Sequence, residues 1–263
     1  MSHPATIGRR WTVRSSDVLY SLYERRLLGE IDRSRMPKHV GVMLDGNRRW
    51  ARSVGAQTAD GHRRGADKVH ELLEWCEDVG VEVVTLWMLS TDNLRRDPAE
   101  VADLLEIIVG SVASIGATAR WNVRLVGSLD LLPADIADRL RAAASPVGDG
   151  LVVNIAVGYG GREEIADAVR SLLAERAAEG RSLEEVAASL TVADIDGHLY
   201  TSGQPDPDLL IRTSGEQRLG GFLLWQSVHS ELYFCEAFWP DFRRVDLLRA
   251  LRDFSHRERR LGR

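Results

Sequence analysis

Six short apolar runs, rich in Val, Ile and Leu and separated by helix-length segments, set the terms on which this chain of 263 residues can fold. They are residues 39–44, 82–89, 123–126, 151–157, 209–211 and 232–234. Hydrophobicity within them is continuous rather than alternating, as expected of strands covered on both faces. Between them, residues 62–79, 99–115, 133–144, 163–178 and 245–256 carry helical spacing. Strand and helix take turns, so the expected architecture is a single α/β domain. Its central parallel sheet of about six strands should carry helices on both faces.

In open parallel sheets ligands collect outside the carboxyl ends of the strands. The first run stops there in Asp45-Gly46-Asn47-Arg48-Arg49-Trp50. A carboxylate beside two guanidiniums suits a magnesium-bound phosphate, because the acid takes the hard cation and the arginines take phosphate oxygens. The alternative is a plain strand-to-helix turn with Asp45 as the cap. A second polar strand end, Ser90-Thr91-Asp92-Asn93-Leu94-Arg95-Arg96, precedes a helix that Pro98 can open, and capping by Asp97 is its bland explanation. The fourth run ends in Gly158-Tyr159-Gly160-Gly161-Arg162, which reads equally well as a turn. The fifth runs into Arg212-Thr213-Ser214-Gly215-Glu216-Gln217-Arg218, where two arginines bracket a hydroxyl-rich loop. Its alternative is a surface turn in which Arg212 pairs with Glu216. Glu231 enters the sixth run as either a strand-edge charge or a metal ligand. Together, the arginine-bearing strand ends and Asp45 describe one concave site for a diphosphate.

Composition narrows the partners. With 34 Lys and Arg against 39 Asp and Glu, the net charge is −5, so any anion site is a local arginine cluster and nucleic acid is not an expected partner. The two cysteines, Cys76 and Cys235, are too few for a disulfide scaffold or a thiolate metal site and fit a reducing cytoplasm. No apolar h-region opens the chain and no stretch reaches the length of a membrane span. Residues 1–36 read as an extension whose amphipathic segment, residues 18–28, could pack on its own domain, on a partner or at a membrane surface. No P-loop, HExxH, G-x-S-x-G or paired CxxC occurs, and no Asp-Asp-x-x-Asp of the all-helical prenyl synthases.

From about Pro37 to Gly262 the chain resembles the cis-prenyltransferases, the Z-isoprenyl diphosphate synthases. The likeness rests on residues 39–50, 90–96, 154–162, 208–218, 222–226 and 231–234 and on Arg260-Leu261-Gly262, in that order. It implies that residues 37–263 form one catalytic α/β domain with a hydrophobic cleft for the prenyl chain, acting as a homodimer. Each subunit would join isopentenyl diphosphate to an allylic diphosphate with Mg2+. Asp45 matches the family's essential aspartate, which manages magnesium and the leaving group. Gly46, Asn47, Arg48, Arg49 and Trp50 match the allylic diphosphate loop, with His62 near that diphosphate. Ser90, Thr91, Asp92, Asn93, Leu94 and Arg96 match the second motif, Asn93 bearing on proton removal. Arg212, Arg218, Gly220 and Glu231 match the isopentenyl diphosphate and magnesium site, Glu231 as a metal ligand. Arg260 matches the tail residue that reaches the partner subunit.

The chain departs from the long-chain pattern. Arg48 replaces a glycine, Thr58 an arginine, Leu94 a tryptophan, Gln217 a histidine and Gly220 a serine. Arg48, Leu94 and Gln217, with the leading Leu19–Glu24 segment, look like the short-chain branch that makes (2Z,6E)-farnesyl diphosphate, geranyl diphosphate being the favoured primer. Met88 stands where long-chain relatives carry a small residue and is the expected product-length determinant. The alternatives are a decaprenyl or undecaprenyl synthase, a non-catalytic partner subunit and a doubly wound nucleotide-binding enzyme. The expected location is the cytoplasm, with peripheral contact to the inner face of the cell membrane left open.

Overall fold

The computed structural model describes residues 15–144 and 150–257. A leading helix, α1 (Ser15–Glu30), comes before β1 (His39–Met43), α2 (Asn47–Ser53) and α3 (Thr58–Asp78). Then follow β2 (Val83–Ser90), α4 (Pro98–Ala117), β3 (Asn122–Val126), α5 (Ala134–Ala143) and β4 (Val152–Tyr159). The last part holds α6 (Gly161–Ala178), α7 (Leu183–Ser189), α8 (Val192–Asp196), β5 (Leu209–Arg212), β6 (Glu231–Phe234) and α9 (Arg244–His256).

The six strands form one sheet in the order β3-β4-β2-β1-β5-β6, and every pair is parallel. All five residues of β1 are buried, as a central strand covered on both faces requires. Each apolar run thus becomes a strand. Met43 pairs with Trp87 on one side and Arg212 on the other, so β1, β2 and β5 end side by side along one rim. The helix expected after the end of β1 is short, residues 47–53, and its cap is Gly46 rather than Asp45. Part of the long connection after Gly180 is also helical, because Ser182 and Thr191 each close a capping box on α7 and α8. Asp97 accepts from Ala99 N at 2.9 Å and from Glu100 N at 3.3 Å, with Pro98 at the first position of α4.

A buried polar ladder crosses the sheet toward its other rim. His39 Nδ1 meets the Pro205 carbonyl at 2.7 Å, so this nitrogen carries the proton and Nε2 accepts from the Thr85 hydroxyl at 2.8 Å. Thr85 Oγ1 in turn accepts from Asn154 Nδ2 at 3.0 Å, and Asn154 pairs with the Gln204 amide at 2.7 and 3.2 Å. The long connection is thereby docked onto β1, β2 and β4. At the chain start, α1 lies along α9 with Leu27 fully buried, while Tyr20 and Leu22 face solvent. No helix among the described residues is long and apolar enough to cross a membrane.

Candidate active site

At the end of β1 the chain turns sharply through Gly46, whose φ of +106° is a conformation that residues with a Cβ resist. The turn brings Asp45 to the rim and starts α2 with Asn47. It is fixed by Trp239 N, which donates to Asp45 O at 2.9 Å, and by the Thr213 hydroxyl, whose single proton lies within reach of Asp45 O at 2.7 Å and of Met43 O at 3.1 Å. Asn47 donates to Leu44 O at 2.9 Å. Helix α3 passes so close that a Cβ on Gly61 would meet Asn47 O, and one on Gly65 would meet Asn47 Oδ1, each at 2.3 Å.

Asp45 faces Arg212 across the gap between β1 and β5. Arg212 donates from Nε at 2.9 Å and from Nη2 at 2.6 Å to Asp45 Oδ2, and from Nη1 to Arg218 O. Arg49 donates to Ser214 Oγ at 2.7 Å, lies 3.1 Å from Glu216 Oε1 and stacks over Phe238 with its carbon 5.6 Å from the ring centroid. Glu216 also pairs with Arg218. It does not pair with Arg212, as a simple surface turn would have required.

A second charge cluster lies between the starts of α3 and α4. Glu100 Oε1 is 3.6 Å from Arg48 Nε, 3.4 Å from Arg96 Nη1 and 4.0 Å from His62 Nε2. The His62 side chain is 8% exposed and its Nε2 has no hydrogen-bond partner. Burial first, and then the positive Arg96 beside it, push its pKa down to about 4, so the ring is neutral at pH 7. Burial also lowers the Arg96 pKa against the raising effect of Glu100. Ser90, at the end of β2, and Asn93, in the turn after it, bond reciprocally, Asn93 N to Ser90 Oγ at 3.1 Å and Ser90 N to Asn93 Oδ1 at 3.3 Å.

Most of these groups line one cleft of about 620 Å³, with Glu100, Ser214 and Phe238 behind its wall. Asp45, Gly46, Asn47, Arg48, Arg49, His62, Met88, Ser90, Asp92, Asn93, Arg96, Arg212, Arg218 and Gly220 all border it. Away from the arginines its walls are apolar, with Ala66 and Val69 on α3 and Leu104, Ile107 and Ile108 on α4. The strand-end reading therefore assembles as one site. Trp50, Thr91 and Leu94 are not on its wall: Thr91 N bonds Tyr159 O at 3.1 Å, and Leu94 packs against the core. Thr58 does not line it either, whereas Arg48 and Arg52 do. Gly220 sits beside Arg212, whose Nη1 would lie 3.1 Å from a Cβ placed there.

Glu231 is not brought to Asp45. It pairs with Leu209, which pairs with Val40, so it stands level with the start of β1 while Asp45 follows the strand's end. At about 3.3 Å per residue that offset is roughly 16 Å, and two further strand spacings separate them laterally. Glu231 instead lies 2.5 Å from Arg257 Nη1. A residue that enters a parallel strand is carried to the opposite rim from one that leaves it, so within one chain Asp45 and Glu231 do not form a joint metal site. Arg260 lies outside the described residues. Glu100 went unread in the sequence, although an acid in the first turn of the helix that follows an arginine-bearing strand end was the available signal.

The model of the family Prenyltransf, described as "Putative undecaprenyl diphosphate synthase", matches residues 43–262. The chain is 61% identical to a (2Z,6E)-farnesyl diphosphate synthase of Thermobifida fusca, covering 93% of this chain and 97% of that protein. It is 54% identical to a short-chain Z-isoprenyl diphosphate synthase of Mycobacterium bovis, covering 95% and 98%. Among solved structures it is similar to lavandulyl diphosphate synthase from Lavandula x intermedia in complex with dimethylallyl diphosphate. That likeness has a TM-score of 0.80 and 32% identity, over 88% of this chain and all of the other.

Proposed function

Because the chain belongs to the Prenyltransf family of cis-prenyltransferases, we propose that it condenses isopentenyl diphosphate with a short allylic diphosphate, geranyl diphosphate above others, to give (2Z,6E)-farnesyl diphosphate. One observation carries this reading: six guanidiniums, of Arg48, Arg49, Arg52, Arg96, Arg212 and Arg218, border a cleft that also has an apolar wall of Val69, Leu104, Ile107, Ile108 and the bulky Met88. Such a site takes diphosphates at one end and a hydrocarbon chain at the other. The Thermobifida fusca relative bears the name of the same product.

The donors present fit magnesium. Arg212 occupies one oxygen of Asp45 and leaves the other open to the cleft, and no cluster of three His, Cys, Asp or Glu able to hold a metal occurs among the described residues. Magnesium keeps waters and substrate oxygens around one or two carboxylates rather than a full protein cage, which is what Asp45 and a diphosphate can offer. Bound there, the ion would stabilise charge building on the leaving diphosphate. The arginines neutralise the same anion without protein nucleophilic chemistry. The apolar walls keep water from the cation-like carbon left behind. We assign Asn93 to orienting the groups involved in proton loss; its reciprocal bonds with Ser90 support that role.

We assign the working unit to a homodimer in the cytoplasm, because Glu231 stands at the rim opposite Asp45 and can serve a cleft only across a subunit boundary. The exposed Tyr20 and Leu22 on α1 support a peripheral membrane contact. Incubation with labelled isopentenyl diphosphate, Mg2+ and dimethylallyl, geranyl or farnesyl diphosphate tests the activity. A C15 product from geranyl diphosphate is expected. Long polyprenyl products would indicate a long-chain synthase, and no incorporation with any primer would indicate a non-catalytic subunit.

A further inference from the structure

The loop after β5 contains a residue in an unfavourable backbone conformation. Ser214 has a φ of +76°, in the left-handed region that a residue with a Cβ enters at a cost, and Gly215 follows it at +72°. The loop is held there by Ser214 N donating to Ala237 O at 2.7 Å and Gly215 N donating to Cys235 O at 2.9 Å. Glycine would make the same turn without strain. The serine adds a Cβ, packed 3.0 Å from the position a Cβ on Gly46 would take, and a hydroxyl that accepts from Arg49 Nη2 at 2.7 Å. Ser214 is 6% exposed, so the bond is shielded from water on the serine side.

Strained residues persist where the surroundings hold them, and they cluster at sites whose geometry they set. Here the strain fixes one guanidinium. Arg49 is half-exposed and long enough to swing through several rotamers, yet three groups define its plane: Ser214 Oγ on one terminal nitrogen, Glu216 on the other and the Phe238 ring beneath. Those two bonds engage two of its five N–H groups and leave three for an oxygen ligand. Of the three contacts, the Ser214 bond comes from the most buried partner, on a backbone held by two hydrogen bonds.

We propose that Ser214 is a positioning residue for the allylic diphosphate: its hydroxyl, presented from a strained left-handed turn, sets the orientation in which Arg49 receives the phosphate oxygens. This rests on the reading that Arg49 contacts that diphosphate. The strain then serves substrate binding rather than folding, and the two properties should separate on substitution.

Ser214→Gly removes both hydroxyl and strain, whereas Ser214→Ala removes the hydroxyl and keeps the strain. Both should raise the KM for geranyl diphosphate about tenfold, the scale of a bond to a charged group, while kcat moves far less. The glycine variant should melt at or above the wild-type temperature. In an Arg49→Ala background, Ser214→Ala should add almost nothing, since both act through one contact. An unchanged KM in both variants, a wild-type KM restored by glycine alone, or losses that add fully to Arg49→Ala would each overturn the proposal. If the wild type makes no product with any primer, the functional reading fails first. Calorimetric titration of inorganic diphosphate into wild type and the two serine variants then decides: weaker binding in both variants supports the role of Ser214, and equal binding refutes it.

Discussion

Arg212 directs two donors, Nε at 2.9 Å and Nη2 at 2.6 Å, onto a single oxygen of Asp45. The pair is lopsided in its exposure. The Asp45 side chain is 43% exposed and its partner only 7%, so the carboxylate tolerates water and the guanidinium depends on the carboxylate.

Two substitutions at Asp45 should therefore differ in stability and agree in activity. Asp45→Asn keeps an acceptor for Arg212 and should fold with little loss. Asp45→Ala leaves a buried guanidinium short of a partner and should cost about 1–3 kcal/mol. Both should lower turnover by roughly a thousandfold or more, several kcal/mol of barrier, because neither supplies a charged oxygen to magnesium. Chemical denaturation beside steady-state kinetics checks this, and activity within tenfold of wild type in either variant would remove Asp45 from the mechanism.

Product length should respond to Met88. It borders the cleft one strand away from Asp45 and packs partly against the core. Met88→Ala opens space near the diphosphate end and should shift the product chromatogram from C15 toward longer chains. It should also lose about 2–3 kcal/mol of stability from the cavity. A destabilised protein with an unchanged product profile would leave Met88 as core packing alone.

Acid should unfold the protein partly through His39. Burial pushes its pKa down to about 4 against the weaker raising effects of the Pro205 carbonyl and Asp208, so the folded state holds it neutral while the unfolded chain protonates it near 6.5. Stability is then complete above about pH 6.5 and falls between there and about pH 4, with a limit near 3 kcal/mol for this one group. His62 titrates in the same direction. Urea melts across that interval should show the decline, and His39→Gln should flatten roughly half of it. An equally steep decline in the variant would mean that the carboxylates dominate.

Subunit complementation should settle what Glu231 does. If it serves a neighbouring cleft, mixing Asp45→Ala and Glu231→Ala chains should restore up to about a quarter to a half of wild-type activity, because one cleft of a mixed dimer keeps both acids. Activity no higher than the mean of the two separate variants would confine Glu231 to its pair with Arg257.

The sheet was legible because its strands are buried on both faces, which leaves runs such as residues 39–44 and 151–157 with no competing interpretation. The rim was legible for a related reason: an apolar run that stops at Asp45 or Arg212 has to stop where the sheet does. Pairings between distant segments were hidden. Glu100 meets Arg48 across 52 positions, and nothing in a first-turn glutamate says which arginine it will face. The strain at Ser214 was equally silent, because a φ of +76° is imposed by the Ala237 and Cys235 carbonyls and not by the tetrapeptide around it. Glu231 shows a different limit, since a motif fixes the order of residues along the chain while the direction of a strand decides at which rim each one emerges.

The press of α3 against Asn47 bears on how such a cleft can change over generations. Any side chain at position 61 or 65 would collide with the Asn47 carbonyl or amide at 2.3 Å, so drift at these two glycines meets immediate steric refusal. The floor beneath the diphosphates is in that sense heritable as a unit. Val69, Met88, Leu104 and Ile108 line the apolar wall of the cleft, where a side chain already stands and its volume borders the cavity. A lineage of this protein can accordingly explore new hydrocarbon lengths one wall residue at a time while the chemistry at the rim is passed on intact.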